Sequence, residues 1–213
     1  MSETPANPPT DRRSLRTRGA LRDAMLILIG ERGWDNFAVQ DLCERANVGR
    51  STFYSHYPNK DALLVGGLAS LHAALQQQTR AGSAPARASS DAPRSWRFAP
   101  GLIEHVGEQR QIFRALIGRR SGYVVQQRFR EMVIRLVTDE LPPATGNLPR
   151  PAAARWLAAG LVELLSWWVE QRTPPPSAEL AALFDELSQP VLRARELKSG
   201  PSSRPRATRR RSA

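Results

Sequence analysis

The chain has 213 residues, one cysteine (Cys43) and a formal net charge of +11. That length buries a sizeable core without disulfide help, and a single cysteine forms no internal bridge. No apolar run reaches the roughly 20 residues of a bilayer-spanning helix, and the opening residues lack the basic-then-apolar order of a leader, so a soluble, cytoplasmic protein is expected.

The positive charge favours a polyanionic partner, nucleic acid or an anionic membrane surface, without choosing between them. Six of the eleven charges sit in residues 198–213, where Lys198, Arg204, Arg206, Arg209, Arg210 and Arg211 stand without an acid. The rest of the chain is only moderately basic, so the placement of charge matters more than its total.

Residues 1–11 are polar, hold three prolines and show no periodicity, as a disordered arm does. Arg12, Arg13, Arg16 and Arg18 then mark either a solvated helix end or a phosphate-contacting cluster. Leu21, Ala24, Met25, Leu28 and Ile29 recur on one helical face and predict a helix from about Leu15 to Arg32, closed by Gly33. Trp34 and Phe37 are expected in the core. Val39, Leu42, Cys43 and Ala46 predict a short second helix with Cys43 on its buried face, and Asn47 tolerates the positive φ of a corner.

A third helix follows, with Phe53 and Tyr57 turned inward beside Val48 from the turn. Arg50, Ser51, Thr52, Tyr54, Ser55 and His56 are left largely outside, Pro58 ends the helix and Lys60 comes just after it. Two turns are marginal alone, so the apolar side needs neighbours and the polar side is left to bind. Its hydroxyls reach base edges, Arg50 bonds guanine or phosphate, Tyr54 and His56 bond phosphate oxygens, and Lys60 is placed for the backbone.

Residues 15–64 resemble the DNA-binding domain of TetR-type transcriptional regulators. The resemblance is carried by Val39-Gln40-Asp41-Leu42-Cys43, Ala46-Asn47-Val48, Thr52-Phe53-Tyr54 and Tyr57-Pro58-Asn59-Lys60-Asp61-Ala62-Leu63-Leu64. It implies a base contact at Thr52, a phosphate contact at Tyr54, a backbone contact at Lys60 and reach to DNA at Gln40. Ala38 departs from the pattern, standing where a threonine often caps the second helix; either Asn36 substitutes or the helix start shifts. Asn47 replaces a common glycine, and Ser55 is small where many members carry a large ring.

Leu64, Leu68, Leu71 and Leu75 predict a long helix from Asp61 to about Arg80, which in TetR-type regulators links the two domains. Residues 82–94 have loop composition. Trp96 to Val106 reads as helical with Pro100 at its start or at a kink. Ile112 to Ile117 reads as a short helix and Val125 to Val137 as a longer one, before Leu141 to Pro149 breaks the chain.

Trp156 to Val169 is apolar on almost every side, and after Thr173-Pro174-Pro175-Pro176, Ser177 is placed to cap a last helix bearing Leu180, Leu183, Phe184, Leu187 and Val191. This pair either completes the monomer core or doubles about a two-fold axis into a four-helix interface, the dimerisation that the resemblance implies. Trp156, Leu161, Leu164, Leu165, Trp168, Leu180, Phe184 and Leu187 are the expected interface residues. A looser resemblance, through the His105 region, Phe113-Arg114-Ala115-Leu116 and Gly160 to Trp168, is to the C-terminal domains of TetR regulators related to dihydroxyacetone kinase regulators.

No nucleophile motif, phosphate-cradling loop or metal-ligand spacing is present, so no enzyme, metal or cofactor is expected. A ligand pocket is expected among Phe98, Leu102, His105, Phe113, Phe129 and Trp167. The basic tail either adds non-specific DNA affinity or is a plain terminus.

The expected fold is all-α: a disordered arm (1–11), a three-helix helix-turn-helix DNA-binding domain (12–61), a larger helical effector-binding and dimerisation domain (62–196), and a disordered basic tail (197–213). The expected function is a homodimeric regulator on near-palindromic double-stranded DNA, a repressor released by a small apolar or amphipathic ligand, with no membrane partner. The alternative is a DNA-binding regulator without a small ligand, whose second domain binds a protein. An enzyme or membrane-surface protein is the remaining one.

Overall fold

The computed structural model describes residues 9–81, 95–117, 122–142 and 148–193. The expectations for residues 1–8, for 82–94 and for the basic tail lie outside these. Among the described residues the fold is all-α. Its helices are α1 (Pro9–Arg32), α2 (Val39–Ala46), α3 (Arg50–His56), α4 (Lys60–Ala81), α5 (Phe98–Glu108), α6 (Arg110–Ile117), α7 (Gly122–Glu140), α8 (Arg150–Glu170) and α9 (Ser177–Arg193), with one 3-10 turn at Trp34–Asn36.

Helix α1 begins at Pro9, so residues 9–11 belong to the helix and not to an arm. Proline suits a first helical position, where its missing N–H has no intrahelical partner to lose. The helix starts to bury side chains only at Leu21; Leu15 is still 56% exposed. From there Leu21, Ala24, Met25, Leu28 and Ile29 form the floor of the three-helix unit, as their spacing predicts.

Gly33 closes α1 at φ 79°, and Trp34 and Phe37 then turn inward edge to face, 5.8 Å apart. Helix α2 starts at Val39, and Ala38 before it offers no side-chain acceptor. Asn36 does not substitute, because its Nδ2 donates back to the Arg32 carbonyl at 2.7 Å. Instead the Asp41 carboxylate accepts the Ala38 N–H at 2.7 Å, which is half of a capping box. That N–H, with Arg32 at 2.9 Å, holds the Asp41 carboxyl below the usual carboxylate range. Asn47 takes the left-handed conformation at φ 51° and ψ 47°. Tyr57 is extended, as a residue before proline must be, and α3 stops. Asn59 then caps α4 by accepting the Ala62 N–H at 2.8 Å.

In the second unit α7 packs on α4 and α8, and α5 packs on α9. Pro100 is the third residue of α5, inside the first turn, where it costs no hydrogen bond. The free amides of that turn go to Glu140, which accepts from the Arg97 and Phe98 N–H groups at 2.8 and 3.1 Å. Two arginines close helix C-termini. Arg110 donates to the Val169 and Gln171 carbonyls at the end of α8, and Arg150 to the Thr138 and Leu141 carbonyls at the end of α7. Ser177 is the first residue of α9 rather than a cap before it.

The expected dimer residues separate into two sets. Leu161, Leu165, Trp168, Leu180 and Phe184 are buried within the single chain, which corrects their assignment to an intersubunit surface. Trp156 and Leu187 are 59% and 51% exposed, and Leu164 is half-buried. The reason is that α8 carries two apolar stripes. One, from Ala153 through Leu157, Leu161 and Leu165 to Trp168, closes the core, and the other runs along the outside.

Trp168 also fixes α8 against α5. Its indole N–H donates to the Pro175 carbonyl at 2.8 Å, and a Cβ on Gly107 would meet the ring at 2.9 Å. Because the indole is tied and cannot retreat, Gly107→Ala is expected to lower stability by about 1–3 kcal/mol, measured by denaturant unfolding.

Candidate nucleic-acid interface and ligand cavity

Helix α3 has seven residues and one fully buried side chain, Phe53. The Tyr54 ring stands edge-on to Phe53 at 5.3 Å and the Tyr57 ring lies 6.1 Å away. With that side anchored, Arg50, Ser51, Thr52, Tyr54 and Ser55 are exposed and His56 is half-buried against Tyr57. The Ser55 hydroxyl donates to the Thr52 carbonyl at 2.7 Å, so it is spent within the helix. Gln40 is exposed on α2 and donates to Glu44 at 2.9 Å. Cys43 is buried, and burial pushes its thiol up, away from the reactive thiolate.

Lys60 is placed differently from its expectation. Its ammonium donates to the Trp34 and Phe37 carbonyls at 2.7 and 2.9 Å and stands 4.7 Å from both ring centres. This partial burial lowers its pKa. Instead of reaching outward, Lys60 pins the first turn of α4 to the loop before α2. The carbonyls of that 3-10 turn have no helical N–H to accept from, and a cation with two aromatic faces beside it satisfies them.

The next residue, Asp61, takes Arg128 of α7 at 3.2 Å, and Arg128 also reaches Glu131 at 3.2 Å. The joint between the three-helix unit and α4 is therefore held from inside by Lys60 and from the second unit by Arg128.

On either side of Arg128, Val125 and Phe129 face a cavity of about 340 Å³. Helix α1 closes one side with Arg22, Met25 and Leu26; α4 gives Leu64, Leu68, Leu71 and Leu75; α5 gives Gly101, Glu104, His105 and Glu108. Of the expected pocket residues, His105, Phe113 and Phe129 come together here, with ring separations of 5.8 and 5.6 Å. Phe98 and Leu102 do not; both are core, Phe98 also edging a separate crevice of about 140 Å³. Trp167 lies on the outer stripe of α8, 44% exposed, which corrects its assignment to the pocket. Burial holds the His105 pKa below the ordinary value, with Glu108 opposing and Arg22 reinforcing the shift, which favours the neutral ring.

The walls from α1 and α4 are what sequence reasoning missed. Their leucines have the spacing of ordinary core. The available signal was Gly66-Gly67 in mid-helix, a costly choice unless something lies across the backbone. The Tyr57 ring does so at Gly66, where a Cβ would lie 3.3 Å from it, whereas at Gly67 a Cβ would make only ordinary contact with the Arg22 stem at 3.7 Å. Among the described residues no cluster of three potential metal ligands occurs, and no helix is long and apolar enough to cross a membrane.

Residues 21–65 match the family model of the bacterial regulatory proteins of the tetR family. The uncharacterized HTH-type transcriptional regulator YxbF of Bacillus subtilis (strain 168) is 42% identical over 55 residues, 25% of this chain. The match spans only 14% of that protein's length. Among solved structures, a TetR transcriptional regulator from Streptococcus agalactiae 2603V is similar over 84% of this chain and 97% of its own, with 26% identity and a TM-score of 0.57. NalD of Pseudomonas aeruginosa, the secondary repressor of the MexAB-OprM multidrug efflux pump, gives 22% identity and 0.59 over 85% and 98%. Thermus thermophilus FadR, a TetR-family repressor in complex with lauroyl-CoA, gives 18% and 0.53 over 87% and 98%. The last two speak for the fold alone.

Replacing Lys60 by alanine removes the donor shared by two loop carbonyls, and a loss of about 1–3 kcal/mol in unfolding free energy is expected. Unchanged stability together with weakened DNA binding would instead give Lys60 a role at the DNA.

Proposed function

We propose that this chain, whose residues 21–65 match the tetR family of bacterial regulatory proteins, works as a homodimeric repressor of that family, active on DNA in the cytoplasm and released by a small apolar or amphipathic ligand. The observation that carries the reading is α3 itself. A helix anchored through Phe53 and Tyr57, with Arg50, Ser51, Thr52 and Tyr54 outward, has the form of a major-groove probe. Ser51 and Thr52 are assigned to base edges, Arg50 to guanine or phosphate, and Tyr54 and His56 to the backbone, with Gln40 beside them from α2.

Two copies are needed to read a near-palindrome, with half-sites about 34 Å apart or a multiple of that. The outer stripe of α8 and α9 supports the pairing. Trp156, Leu164 and Trp167 line up along α8 with Gly160, whose missing Cβ would meet nothing, and Leu183 and Leu187 continue the patch on α9. Large aromatics around a flat spot suit a self-complementary, two-fold contact.

The cavity supports release by a ligand. One wall is α1, which carries the three-helix unit, and another is α7, whose Arg128 holds Asp61 at the start of α4. Occupancy therefore bears on the reading helices from two sides, and a ligand that prefers one arrangement shifts the population toward it. The coupling is reciprocal: DNA must weaken ligand binding by the factor with which ligand weakens DNA binding.

Selection of bound duplexes from a random pool is expected to return a palindrome. Thr52→Ala with Tyr54→Phe, which keeps the ring on Phe53, is expected to cost about 1–3 kcal/mol of binding to that sequence with the melting temperature unchanged. No enriched sequence, or undiminished binding by the variant, would count against α3 as the probe. Trp156→Glu with Leu187→Glu is expected to give a monomer by analytical ultracentrifugation, and a surviving dimer would move the interface elsewhere.

A further inference from the structure

We propose that the cavity beside α5 takes a monocationic amphiphile, its head against Glu104 and Glu108 and its apolar tail between α4, α6 and α7. This rests on the reading of that cavity as the ligand site and names the class of ligand.

The inner walls are hydrocarbon, from Leu64, Leu68 and Leu71 on one side to Phe113 and Phe129 on the other. The polar wall is one face of α5, where Glu104 and Glu108 flank His105 one turn apart. Asp23 of α1 adds a third carboxylate. Against these, among the described lining residues, stands one cation, Arg22, whose Nε already has the Asp23 carboxylate at 3.5 Å. Burial of His105 disfavours its charged form, which keeps the balance of this wall acidic.

Among the described residues, Arg110 on α6 and Arg128 on α7 are committed elsewhere. Arg110 donates to the last carbonyls of α8, and Arg128 is paired with Asp61 and Glu131. An anionic headgroup would share Arg22 with Asp23 and face two further carboxylates, whereas a cationic one finds three acids around it. This local sign opposes the chain as a whole, whose net charge is +11. The general field draws anions, so a cation preference here has to come from the cavity wall.

Because Glu104 and Glu108 are exposed at the rim, the attraction is partly screened, and the preference is of moderate size. The test uses one tail with three heads: decyltrimethylammonium, decanol and decanoate, each below its micellar concentration, titrated calorimetrically into the full chain without DNA. The cation is expected to bind about tenfold or more tightly than decanoate, with decanol between and the gap narrowing in high salt.

Glu104→Gln with Glu108→Gln is expected to bring the cation down to the affinity of decanol while leaving decanol unchanged. A thermal melt of the variant, altered only at exposed positions, confirms that it is folded. Decanoate binding as tightly as the cation, no binding by any of the three, or a cation preference that survives the double substitution or high salt would overturn the proposal. The repressor reading is tested separately by adding each compound to the protein–DNA complex. A cation that binds the free protein and leaves DNA affinity unchanged sinks ligand release but not the cation site, whereas release by decanoate alone sinks the cation site but not ligand release.

Discussion

Seven residues of α-helix cannot hold their shape in water by their own hydrogen bonds, so α3 exists only because Phe53 is driven into the core made by α1 and α2. Everything the helix presents outward depends on that one insertion. It leaves the opposite face free of packing duties, which is why small hydroxyls and an arginine can stand there at little cost to stability. Tyr54 and Tyr57 brace the Phe53 ring from two sides, and Asn47 supplies the left-handed corner that aims the helix.

The same economy governs the joint that follows. Chain leaving α3 must turn at Pro58 and start a 22-residue helix without loosening what lies before it. Lys60 achieves this by giving its ammonium to two loop carbonyls, and Asp61 passes the connection to Arg128 in the second unit. One ion pair and one lysine thereby link α7, through the start of α4, to the loop before α2. The path is short and continuous, and it begins beside the cavity.

Much of this was legible in the sequence because single-face periodicity has one interpretation. Leu21 to Ile29 and Val39 to Ala46 each have a polar side, so the buried side follows, and the all-α fold with its three-helix start follows from them. Where a segment is apolar on two sides the pattern loses its meaning. Helix α8 buries Leu161 and Trp168 in its own chain and exposes Trp156 and Trp167, and nothing in residue type separates the two stripes.

Lys60 shows a different limit. A lysine after a helix stop reads as a surface cation, and only the folded loop reveals two carbonyls and two rings waiting for it. The cavity was half legible for a related reason: His105, Phe113 and Phe129 stood out as polar or aromatic, whereas the leucines of α4 carry no mark that distinguishes a wall from a core.

Met25 belongs to both worlds, packed in the floor of the three-helix unit and facing the cavity. The walls of the cavity are therefore not equally free to change. A change at Met25 alters the foundation of the DNA-reading unit, while changes at Ser70, Ala74 or Glu104 on α4 and α5 reshape the site without touching that foundation. Reshaping of the cavity by substitution is thereby channelled to the walls that α1 does not build.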